Sequence, residues 1–184
     1  MSIDTHTLIW LFPIAFMFHD FEEIILFEPW LRKNAGEIEA RIKSRIPAFL
    51  AKQIGVILNK STTEFAFPIV LIFSLTGLAS FLAVEYGSYE FFLLASGSFF
   101  LHGFMHIGQT IALRRYIPAV ISSVVVVIPY GLILYGRLIS EGLVNISELS
   151  IYFLLAVVLT VPFILVMHFV GDYLYKKTIR LLIG

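Results

Sequence analysis

The chain has 184 residues, of which 59% are hydrophobic and 14% charged; its thirteen basic and thirteen acidic groups cancel, and it has no cysteine. Soluble domains average about 45–50% and about 25% on the first two measures, so this is the composition of a polytopic membrane protein rather than a globular one. Disulfides, thiolate metal sites and thiol nucleophiles are excluded, and there is neither a glycine-rich phosphate loop nor any sign of a nucleic-acid partner.

The expected fold is an all-α, polytopic membrane bundle of five transmembrane helices plus an amphipathic interfacial helix, with residues 1–184 forming one integral membrane domain. The first span, Thr7–Trp30, contains His19-Asp20-Phe21-Glu22-Glu23 between two apolar runs. Ionisable groups at such depth are costly unless paired or metal-bound, and they mark function by default. No Lys or Arg precedes this span and no small-residue cleavage site follows its first apolar run, so a cleaved signal peptide is not expected.

After it, Ile38, Ile42, Ile46, Phe49 and Leu50 recur at helical spacing with Arg41, Arg45 and Lys52 on another side. That pattern predicts an amphipathic helix on the inner leaflet, with its basic groups toward anionic lipid. It serves as a surface anchor or, on a sharper view, as a flap beside a lateral entrance for lipid.

The second span, Thr62–Val84, has Glu64 just inside its cytoplasmic start. The third, Phe91–Leu113, carries Ser98, His102, His106 and Gln109 in one stripe, and small residues such as Gly97 and Gly103 suit a central helix. The fourth is Pro118–Leu138. The fifth, Leu149–Val170, holds His168 near its inner end, with Asp172 beyond it at the head-group boundary.

Lys and Arg cluster between spans one and two, at Arg114 and Arg115, and at Lys176, Lys177 and Arg180. The positive-inside rule then puts the N-terminus outside and the C-terminus in the cytoplasm. With a helical rise of about 1.5 Å per residue, His19 lies about 18 Å from the outer edge and Glu22 and Glu23 about 23 Å. His102 and His106 fall at about 17–23 Å and His168 at about 28 Å, all in the inner half of a core about 30 Å thick. This agreement in depth predicts one shared site.

His19, Glu22, His102, His106 and His168 are the candidate metal ligands, and Glu23 and Glu64 the candidate catalytic bases. Imidazole and carboxylate suit Zn or Fe, as one ion or two, and the remaining glutamate would activate a metal-bound water. Which of Glu22 and Glu23 is ligand and which is base stays open. Asp20 is a candidate partner for an imidazole N–H. The structural alternative for each group is a hydrogen-bonded network that only fixes helix packing. The ferritin-like di-iron pattern needs Glu-x-x-His twice, whereas here the order is reversed and occurs once.

His19-Asp20-Phe21-Glu22-Glu23 resembles the signature of the HXXEE-domain integral membrane proteins. His102 and His106 are similar to later histidines of that family, and Arg115-Tyr116-Ile117-Pro118 to its Arg-Tyr-x-Pro turn, with Ala119 where the family favours Gly. The resemblance covers most of the chain and implies a site and a suspected enzymatic role, without a reaction.

Three functions compete. The first is a metal-dependent membrane enzyme, hydrolase or oxidoreductase, acting on a lipophilic small molecule or lipid near the cytoplasmic side. The second is a metal-free acid–base isomerase. The third is a proton or metal-ion carrier, against which stand the absence of an internal repeat and of an ionisable file through the outer half.

Overall fold

The computed structural model describes residues 3–43, 47, 48, 55 and 60–182. Among them it is all-helical, without strands. The helices are α1 (Thr5–Lys43), α2 (Thr62–Tyr86), α3 (Glu90–Leu113), α4 (residues 120–140) and α5 (Ile146–Leu182). α2, α3, α4 and α5 are long and apolar enough to cross a bilayer. α1 is not among these four, because His19, Asp20, Glu22 and Glu23 interrupt its apolar stretch. The outer faces of α4 and α5 expose Val124, Val125, Leu132, Ile133, Val157, Val158 and Phe169. In water this surface would be a large apolar patch, whereas lipid is its natural solvent.

Local chemistry sets the helix ends. At the start of α2, Ser61 and Glu64 form a capping box: each side chain engages the other residue's backbone N–H. Gly87, at φ 64°, ends α2 in the left-handed region, where glycine avoids a Cβ penalty. Arg114 ends α3 at φ 52°, and Ala119 enters α4 at φ 70°. That turn is therefore strained at both edges. Within α4, Ser123–Val127 form a π-helical turn just before Pro129, whose ring cannot continue an α-helical ladder.

Neighbouring helices close a ring in the order α1, α2, α5, α3, α4 and back to α1, and α2 also touches α3. Around the N-terminal part of α1 is an aromatic core in which Phe12 meets Phe92 edge-on at 5.6 Å. Gly171 lets α5 close on α2, since a Cβ there would lie 2.7 Å from the Pro68 backbone nitrogen.

Three boundaries differ from the sequence expectation. α1 continues through Pro29 and Trp30 to Lys43, so the first predicted span is only its N-terminal part. α4 starts at Val120 rather than Pro118, because Ala119 breaks the chain direction. α5 runs well past Val170, to Leu182. Of the predicted interfacial helix, Ile38, Arg41 and Ile42 belong to the last turns of α1, whereas Arg45, Ile46, Phe49, Leu50 and Lys52 lie outside the described residues.

Candidate metal centre between α1 and α3

His19 lies midway along α1 and is fully buried. Glu23 follows one helical turn later on the same face. From α3, His102 and His106 project side by side, again four residues apart. Donor atoms of His19, Glu23, His102 and His106 all lie within 4.8 Å of one another. Among the described residues this is the group of imidazoles and carboxylates that converges as ion ligands do. Donors around a tetrahedral zinc at about 2.0–2.1 Å stand about 3.3 Å apart, so the cluster is slightly wider than a closed shell.

The Nε2 atoms of His102 and His106 are 2.9 Å apart, and His106 Nε2 is 3.8 Å from Glu23 Oε1. The His19 ring stands edge-on to both, with centroids 5.4 and 5.1 Å away. Each ring retains a buried nitrogen without a hydrogen bond: Nε2 of His19 and Nδ1 of His102 and His106. Unmet polar atoms in an apolar setting cost about 1–3 kcal/mol each, so three in one cluster call for an explanation.

Ser122 is the neighbour placed to set the His19 tautomer. Ser122 donates its hydroxyl hydrogen to the Ala119 carbonyl at 3.2 Å and lies 3.3 Å from His19 Nδ1. A Ser122 hydroxyl that donates to the Ala119 carbonyl accepts from His19 Nδ1–H. His19 Nε2 is then the lone-pair nitrogen, the form a metal ligand needs.

Glu22 is placed differently. Its carboxylate accepts from the backbone N–H of Ser122 at 2.7 Å and of Ile121 at 3.3 Å, and from the Tyr116 hydroxyl at 2.5 Å. It caps the start of α4, where free N–H groups and the helix dipole favour an anion. Burial, and then the Glu22 carboxylate, raise the Tyr116 phenol above its ordinary value, so it stays a donor. The same turn is tied to α1 by Trp30 Nε1–H on the Tyr116 carbonyl and by Arg115 on Asn34 and Glu37.

The structure brings together four predicted residues, His19, Glu23, His102 and His106. It does not bring Glu22, Glu64 or His168 into that group. Glu64 is engaged in the α2 capping box with Ser61. His168 lies on α5, where Lys60 Nζ approaches its Nδ1 to 3.3 Å and pairs with Asp172 at 2.6 Å. Sequence reasoning assigned no site role to Ser122 or Lys60, and it named Tyr116 only as part of the Arg-Tyr-x-Pro turn.

Beside the cluster is a cavity of about 880 Å³ between α1, α2, α3 and α5. Its wall is mostly Phe, Leu, Ile and Pro. The polar groups on it include Asp20, Glu23, His102, His106, Gln109 and His168. A mostly apolar chamber with a few convergent polar groups is the usual form of a small-molecule site. Asp20 is buried, and its Oδ2 has no hydrogen-bond partner.

Fold and site together define a membrane helical bundle with a His/Glu cluster between α1 and α3. The chain belongs to the family described as proteins of unknown function with an HXXEE motif, whose pattern it matches over residues 10–134. That stretch contains all four converging residues and the turn that clamps Glu22, and it ends before α5. No curated protein and no solved structure matches the chain.

Proposed function

We propose that the chain is a metal-dependent integral membrane enzyme that acts on a lipophilic substrate near the cytoplasmic side of the bilayer. One observation carries this reading: in a group able to hold an ion, Glu23, His102 and His106 line an apolar cavity of about 880 Å³. His19, His102, His106 and Glu23 are the proposed ligands. The ion would supply Lewis acidity and lower the pKa of a bound water. Ser122 would set the His19 tautomer, and the Asp20 carboxyl, whose Oδ2 has no partner, would be available to take or return a proton. Zinc would suit hydrolysis and iron oxygen-dependent oxidation. Glu22 and Glu64 have structural duties on this reading.

In the same proposal α1 is a fifth span and residues 1–184 form one membrane domain. The N-terminus is outside and the C-terminus cytoplasmic, as the basic residues favour. The amphipathic stretch after α1 lies on the inner leaflet. The cavity then sits within reach of lipid tails.

Elemental analysis of stringently purified protein, repeated on the His102→Ala variant, tests the metal. Incubating metal-loaded protein in nanodiscs with a total lipid extract, with products followed by mass spectrometry, tests the reaction: cleavage by water separates hydrolysis from addition of oxygen. A second reading, metal-free acid–base isomerisation, is favoured by the Asp20 carboxyl next to Glu23. Turnover that survives strong chelation would select it.

A further inference from the structure

His168 on α5 lines the same cavity as the cluster but is not among the cluster's proposed ligands. Lys60, just before α2, is buried although charged. Its ammonium donates to Asp172 Oδ1 at 2.6 Å and faces His168 Nδ1 at 3.3 Å. An ammonium has donors only, so His168 Nδ1 must accept, and the ring proton is left on Nε2. Asp172, one helical turn beyond His168, fixes the ammonium that fixes the ring. His168 itself lines the apolar cavity, and its ring lies 5.7 Å from that of Phe65.

Charge at this group sums to zero: one ammonium, one carboxylate and one neutral imidazole. It is therefore poorly suited to a free carboxylate or phosphate, whose desolvation would need a net positive partner. What it offers the cavity is one neutral N–H donor held in a fixed orientation. Its natural complement is an uncharged oxygen acceptor on an otherwise apolar molecule: an ester, a ketone or an alcohol. An acceptor of that kind exchanges only one hydrogen bond with water for one with the ring, while its alkyl part gains the full benefit of burial.

We infer that His168, held in the Nε2–H tautomer by the Lys60–Asp172 pair, is a specificity-determining donor that selects lipophilic ligands bearing a neutral oxygen acceptor. This rests on the proposal that the cavity is the substrate site, and it narrows the substrate class to neutral oxygenated lipids.

Two measurements test it. Nitrogen NMR on protein carrying isotope-labelled histidine in nanodiscs should show His168 protonated at Nε2, and Lys60→Met should convert it to a mixture of tautomers. A His168 ring protonated at Nδ1 in the unaltered chain would overturn the inference. Saturation binding of tritiated methyl palmitate and tritiated hexadecane, each corrected for empty nanodiscs, reads selectivity. The unaltered chain should prefer the ester about tenfold, the worth of one buried hydrogen bond. His168→Phe should bind both probes without preference, and His168→Gln, which restores a donor, should recover part of it. Equal binding of both probes, or a preference that persists in His168→Phe, would overturn the inference and leave the cavity as a substrate site. If neither probe binds above empty nanodiscs, the cavity reading fails and this inference with it. Should His168→Phe bind neither while the unaltered chain binds both, the tautomer measurement and His168→Gln decide.

Discussion

His102 and His106 on α3 and His168 on α5 border the same cavity, yet their ring nitrogens have different company. His168 has a charged donor at one nitrogen, and that donor is itself paired with Asp172. Around His102 and His106, by contrast, the neighbours are imidazoles and one carboxylate, and three ring nitrogens of the cluster lack partners. The same side chain thus does two jobs. Where a charged group fixes one nitrogen, imidazole is an oriented donor; where several imidazoles and a carboxylate converge, it is placed to hold an ion. Glu22 and Glu23 repeat the lesson on α1. One caps a helix through three donors, and the other faces histidines.

The contrast can be broken most directly at the cluster. His102→Ala or His106→Ala removes a ligand, and metal affinity should fall by more than the about 10–100-fold typical of losing a residue that only orients one. Ser122→Ala releases the His19 tautomer, and affinity should fall within that about 10–100-fold range. Equilibrium dialysis with zinc and with iron(II) reads both. His168→Phe should leave zinc affinity unchanged; a drop comparable to that of His102→Ala would show that the two sites are one.

The glutamates offer a sharper division. Glu23→Gln should weaken metal binding with little change in stability. Glu22→Ala should do the reverse and lower stability by about 1.5–3 kcal/mol, through loss of hydrogen bonds to a charged acceptor. Chemical denaturation in detergent beside metal titration tells them apart. The smallest expected effect is at the α2–α5 contact. Gly171→Ala puts a Cβ against the Pro68 backbone and should cost about 1–3 kcal/mol by overpacking, read as a lower unfolding midpoint.

How far the sequence foretold this differs from residue to residue. Hydropathy and helical spacing located α2 to α5, because lipid demands long apolar helices with internally bonded backbones. Depth counting put His19, His102 and His106 at one level, and the structure brings them together. The Glu22–Glu23 choice was illegible. At about 100° per residue the two flank the direction of His19, and only the packing of α3 on one side and α4 on the other separates their fates. His168 shared the depth of the cluster, but its partner Lys60 is 108 residues away in sequence, a pairing no local pattern encodes. The length of α1 was misjudged as well. The expected span ends at Trp30, whereas the helix continues past Pro29 and Trp30 to Lys43, with Trp30 bonded to the Tyr116 carbonyl.

Elemental analysis of protein purified without added metal, set beside a variant carrying His19→Ala, His102→Ala and His106→Ala, tests the central claim most directly. A transition metal bound stoichiometrically by the native chain and absent from the folded variant is the predicted result. A native chain that is folded and free of metal even after incubation with zinc and iron(II), or a triple variant that retains the ion, would contradict it.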